Sequence, residues 1–145
     1  MKKEPYTKKD TGTRIRWKPD IGVFTDINVS IDYFHDTLRR QAIVNPNILF
    51  VLRSQRDGGF DEEEFLYKNG IEDYVTEIVG EDALTGIQVW SAERRGRDRK
   101  DKPEYKVKLN VACCFSNRKN LLEYYHNSSW LEHGGSPEKA VRSAF

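Results

Sequence analysis

Residues 87–116 read IQVWSAERRGRDRKDKPEYKVKLNVACCFS. The first ten and last thirteen residues of this stretch read as two long strands, and the charged run from Gly96 to Pro103 as the loop between them. A hairpin of that length makes the second half of the chain antiparallel, and the flanking segments must fit around it. NLLEYYHN, residues 120–127, reads as a third strand, and the pair Gly134–Gly135 leads into a helix with Ser136 as its cap and Pro137 at its first position. Val141, Ala144 and Phe145 form the apolar face of that helix.

Working toward the N-terminus, IEDYVTEIV, residues 71–79, has apolar residues at helical spacing between Gly70 and Gly80. ILFVLR, residues 48–53, is an apolar strand, and RDGG is the turn of a second hairpin whose return strand is EEFLYK, residues 63–68. Before it lies a helix capped by Ser30, with Asp32 in its first turn, Ile31, Phe34, Leu38 and Ala42 on one face, and Asn45–Pro46 as its stop. TGTRIRWK, residues 11–18, alternates polar and apolar side chains and reads as a strand closed by Pro19. The expected fold class is α+β with mostly antiparallel pairs, divided near Asn69–Gly70 into segments 1–69 and 70–145.

Composition narrows the function classes. The 145 residues are 37% hydrophobic and 32% charged, with 7 Tyr, 7 Phe and 3 Trp, which argues for a packed domain over disorder. A net charge of +1 gives no global pull toward nucleic acid or membrane, so any such contact must be local. No apolar run approaches a membrane span, and MKKEPYTKKDTG lacks the apolar centre of a signal peptide, so the expected location is the cytoplasm. Cys113 and Cys114 are neighbours that point to opposite faces of a strand, and His35, His126 and His133 are scattered, so no metal site is expected. The acidic run Asp61–Glu64 reads as a polar hairpin tip, and Asp20, Asp26 and His35 are not set together as acid–base partners by any spacing. There is no GxxxxGK[ST] loop and no nucleophile elbow, so no catalytic residue is assigned.

The densest cationic run is ERRGRDRKDK, residues 93–102. Arg94, Arg95, Arg97, Arg99 and Lys100 on a hairpin tip could neutralise two or three phosphates of a DNA backbone. The interleaved acids blunt the field, and a solvated loop that keeps a long hairpin soluble is the competing reading.

Taken in order, TGTRIRWKPD, DYFHDTLRRQAIVN, YKNGIEDYV, YKVKLNVACCFS and HNSSWLEHGGSPEKAVRSAF resemble the ATPase subunit of bacterial type II topoisomerases, that is, the B subunits of DNA gyrase and topoisomerase IV. The resemblance implies a chain that joins the last strands and helix of a gyrase/Hsp90/histidine kinase/MutL-type ATPase domain to the first half of a ribosomal-protein-S5-like transducer domain. It implies that Thr13 and Ile15 are remnants of an adenine pocket. It also places the catalytic glutamate, the magnesium-binding asparagine, the adenine-binding aspartate and the glycine-rich lid upstream, and the γ-phosphate lysine downstream. The intact enzyme uses ATP and Mg2+, but this chain is expected neither to bind ATP tightly nor to hydrolyse it. Its implied partners are DNA, held through the backbone without sequence preference, a topoisomerase A subunit and a second B subunit. Arg142 matches the arginine that faces the family's DNA cavity. Gly-Gly-Ser-Pro stands where the family commonly has Gly-Gly-Thr-His, so the role of that histidine has no counterpart. The rival expectations are a free-standing basic-hairpin module that binds nucleic acid, and a truncated partner that regulates an intact B subunit.

Overall fold

The computed structural model describes residues 7, 9 and 11–144, which fall into two compact units meeting at Ser30 and Ile31. In the first unit the chain turns at Asp20, whose carbonyl accepts the N–H groups of Val23 and Phe24 at 3.0 and 2.9 Å. The Asp20 carboxylate accepts the Gly22 N–H, and that of Asp26 accepts the Asn28 N–H, each at 2.8 Å. These are local turn contacts that aspartate makes readily. The expected strand over residues 11–18 is not formed. Alternation provides two faces, but a strand exists only through the ladder of a neighbour, and among the described residues no ladder forms along 11–18. Ile15 is accordingly 82% exposed.

The second unit is α+β. Helix α1 spans Ile31–Val44 and ends where Asn45 donates its side-chain N–H to the Gln41 carbonyl at 2.8 Å. Strand β1, Phe50–Arg56, pairs antiparallel with β2, Gly59–Phe65, through a two-residue Asp57–Gly58 turn. Gly58, at the second central position of the turn, has φ 83°, a left-handed conformation that glycine adopts without strain. That tight turn fixes the register Arg56↔Gly59 to Phe50↔Phe65, so β2 starts four residues earlier than expected and releases Leu66–Lys68 from the ladder. Helix α2, Ile71–Val79, follows Gly70, and the Asp73 carboxylate reaches back to the Asn69 backbone and side-chain N–H groups at 2.8 and 2.9 Å. A single 3-10 turn, Gly80–Asp82, leads to the long hairpin β3, Gln88–Gly96, and β4, Tyr105–Cys113. The expected third strand shrinks to β5, Tyr125–His126, paired with β6, Ser129–Trp130. Residues 120–124 have no ladder partner, and Asn127 at φ 54° turns the chain back at once. Helix α3, Gly135–Ala144, begins one residue before its expected cap, and Phe145 lies outside the described residues.

The core is small. Ala42, Ile43, Phe65 and Tyr67 are buried, with Leu38, Val44, Phe50, Leu52, Ile71 and Tyr74 packed around them. Ile43, at 1% exposure, is deeper than the expected face residues Ile31 and Phe34, because α1 presses its C-terminal end onto the hairpin.

Candidate nucleic-acid interface

The β3–β4 ladder sorts the basic residues by face. Directly opposite residues of an antiparallel pair share a face, and successive residues alternate. Trp90↔Val111, Ala92↔Leu109 and Arg94↔Val107 lie on one face, which is mainly apolar, with Gln88 and Arg94 as its polar residues on β3, and Trp90 and Leu109 are 52% and 55% exposed there. Ser91↔Asn110, Glu93↔Lys108 and Arg95↔Lys106 lie on the other, where the Ser91 hydroxyl donates to the Asn110 carbonyl oxygen at 2.9 Å. Glu93 holds Lys106 at 2.5 Å and Lys108 at 3.4 Å. The hydrogen bond from Lys106, reinforced by Lys108, holds the Glu93 carboxyl below its usual range.

At the tip two of the four cations are matched by acids. Arg97 pairs with Glu104 at 3.1 Å and donates to the Lys100 carbonyl, and Arg99 lies 3.8 Å from Asp101. Asp98 bonds to the Tyr105 hydroxyl and raises its pKa. Of the expected phosphate contacts, Arg97 and Arg99 are thus engaged with acids, Arg94 sits on the apolar face, Lys100 is exposed at the tip, and Arg95 stands on the polar face. Arg142 is on a separate element, α3, where its guanidinium donates to Glu138 one turn earlier at 2.9 Å while staying 71% exposed. Thr13 and Ile15 belong to the other compact unit, in irregular backbone. Lys106 and Lys108 lie outside the cationic run and become neighbours of Arg95 only through the register. The hairpin from Gln88 to Cys113 carries eight Lys and Arg against four Asp and Glu, an excess of four in a chain whose net charge is +1.

A polar hub joins the helices. Arg39 donates to the Tyr67 hydroxyl at 3.1 Å and to Glu77 at 2.6 Å, and the Tyr67 hydroxyl donates to Glu77 at 2.6 Å. The Arg39 guanidinium also lies 5.5 Å from the Tyr74 ring. At the next two positions of α1, Arg40 stacks 3.9 Å over Trp130, and Gln41 donates to the Ser128 carbonyl at 2.7 Å, which docks the β5–β6 turn on α1. Trp130→Ala is expected to cost about 1–2 kcal/mol, measured by urea denaturation, because both the cation–π contact and its apolar cover are lost. Burial, with Glu123 nearby, pushes Tyr74 up to about 12, and burial with a hydrogen bond to Glu123 raises Tyr125 as well. These phenols hold their protons more tightly in the folded state, so stability is full below pH 10 and falls as pH rises from about 10 toward 12. A tyrosinate absorbance titration is expected to show part of the signal delayed until the chain unfolds.

A cleft of about 390 Å3 lies between α1 and the first hairpin, lined by Asp32, His35, Leu52, Arg56, Asp61 and Glu63 among others. Its charges are mutually satisfied: His35 contacts Glu63 at 3.1 Å, and Arg56 pairs with Asp61 at 2.7 Å. Among the described residues no group of three His, Cys, Asp or Glu is placed to hold a metal ion, and no helix is long and apolar enough to cross a membrane.

No family model matches the sequence. The chain is 31% identical over 147 aligned residues to the B subunit of DNA topoisomerase 4 from Enterococcus faecalis, covering 99% of this chain and 20% of the relative. It is 25% identical over 146 residues to the B subunit of DNA topoisomerase 4 from Staphylococcus aureus strain MW2, covering 98% and 20%. The mixed helices and small antiparallel sheets accord with that likeness. Nearly the whole of this chain is therefore similar to a stretch of the topoisomerase 4 B subunit, and it spans about one fifth of the length of those relatives.

Proposed function

We propose that the chain acts as the segment of a type II DNA topoisomerase B subunit that joins the ATPase domain to the transducer domain. The observation that carries this reading is the likeness to the topoisomerase 4 B subunit along 99% of the chain. On this reading residues 1–69 close the ATPase domain and residues 70–145 open the transducer. The Arg39–Tyr67–Glu77 hub supports the role, since it ties α1 to α2 across that junction, directly from Arg39 to Glu77 at 2.6 Å and through the Tyr67 hydroxyl between them. A relay between nucleotide state and DNA passage needs such a rigid link between two elements that move together. Thr13 and Ile15 are then the adenine-side remnant, and Arg142 faces DNA, where its exposed pair with Glu138 can exchange for a phosphate. ATP and Mg2+ belong to the intact enzyme, together with an A subunit, a second B subunit and a cytoplasmic location. The isolated chain is expected to release no phosphate from ATP and Mg2+ above background, and sustained turnover by pure protein would contradict this.

The excess of four cations on the long hairpin favours a second reading, a free-standing nucleic-acid module. A gel shift separates the two. A segment with so few unmatched cations is expected to lose duplex DNA at physiological salt, whereas a stand-alone binder retains it.

A further inference from the structure

The register places Arg95 directly opposite Lys106 on the polar face of β3–β4. Like charges directly opposite one another destabilise a ladder, so the pair needs an anion. Glu93 is the anion at hand, and both of its carboxylate oxygens are taken, one by Lys106 and the other by Lys108. One carboxylate faces three cations, and all four side chains stay exposed.

A duplex phosphodiester backbone offers the same chemistry as that carboxylate, at a charge density of one per about 1.7 Å of helix axis. We propose that the polar face of this hairpin is a DNA-backbone surface built on Arg95, Lys106 and Lys108, and that Glu93 masks it by competing with phosphate for the two lysines. The proposal rests on the DNA-handling reading above and deepens it by moving the contact from the tip to the stem. At the tip three acids, Asp98, Asp101 and Glu104, stand against Arg97, Arg99, Lys100 and Lys102, a smaller excess of cations than on the stem, where one carboxylate faces three. Glu93 then sets how much charge the hairpin offers, so DNA is held loosely and released readily.

The test is fluorescence anisotropy of the full 145-residue chain with a short duplex DNA between 50 and 200 mM NaCl. Each phosphate contact weakens binding by about 3.5-fold over that range, from a log–log slope of about 0.9 per contact. Glu93→Gln is expected to tighten binding at 50 mM by several-fold, on the order of tenfold, and to steepen the slope by one to two contacts' worth. K106Q/K108Q is expected to cost twofold or less with Glu93 present, yet to abolish the gain when combined with E93Q. That non-additivity is the signature of masking, since residues sharing one network couple. Circular dichroism confirms that each variant keeps its fold, and the exposed pairs contribute too little to unfold it. The proposal is overturned if E93Q leaves affinity and slope unchanged, if the gain survives in E93Q/K106Q/K108Q, or if the wild-type chain and E93Q both fail to bind duplex at 50 mM. It is also overturned if R99Q/K100Q/K102Q removes the gain of E93Q while K106Q/K108Q does not. None of these results bears on the likeness to the topoisomerase 4 B subunit, whereas tight duplex binding at physiological salt that ignores Glu93 would sink both readings.

Discussion

Phe65→Ala lowers the unfolding free energy by about 3–5 kcal/mol, the range for emptying a buried aromatic site. Phe65 is 7% exposed and closes β2 against α1, with Ala42, Ile43 and Tyr67 around it and the His35 ring edge-on at 5.1 Å. The buried core contains few other large side chains, so the cavity cannot be filled by repacking. Total stabilities of single domains are only about 5–15 kcal/mol, and this loss removes a large share of such a total. Urea denaturation followed by circular dichroism measures it. Phe60→Ala is the comparison: that ring lies at the hairpin tip, half exposed, against the Arg53 guanidinium at 4.5 Å. It should cost about 1 kcal/mol or less. Equal effects for the two would mean that the core lies elsewhere.

Gly70→Ala is expected to destabilise by about 2–3 kcal/mol, more than a single methyl group ordinarily matters. Gly70 has φ 61° and ψ −122°, a conformation that costs a side-chain-bearing residue about 1–3 kcal/mol. A Cβ there would also sit 3.0 Å from the Ile43 carbonyl oxygen and 3.5 Å from Pro46. Backbone cannot yield as a flexible side chain would, so α2 must shift away from α1 and strain the hydrogen bonds of Arg39 and Tyr67 to Glu77. Gly86→Ala is the control, since its Cβ would meet nothing within 4 Å, and it should change stability by about 0.5 kcal/mol or less.

The elements that could be read from the sequence are those whose signals are local. Helix α2 lies between two glycines with positive φ, and its apolar spacing marked it. The Asp57–Gly58 turn announced the first hairpin, but the exact register depends on the turn's length, which is why β2 sits earlier than the apolar run Phe65–Tyr67 implied. Residues 11–18 and 120–124 show the limit of alternation as a signal. They have the pattern of strands, but a ladder is a property of two segments, and none forms along them among the described residues. The candidate interface follows the same rule. The run of arginines is conspicuous in sequence, yet the tip pairs two of its four, Arg97 and Arg99, with its own acids. Lys106 and Lys108 reach Arg95 only once the ladder sets residue 93 opposite residue 108.

The most direct measurement replaces the matching fifth of the Enterococcus faecalis topoisomerase 4 B subunit with this chain and assays ATP-dependent DNA strand passage by the reconstituted enzyme. Activity within about tenfold of the parent, a loss of about 1.4 kcal/mol in activation free energy or less, is the predicted result. A chimaera that folds, assembles and hydrolyses ATP yet passes no DNA would contradict the proposal that this chain links nucleotide state to the DNA gate.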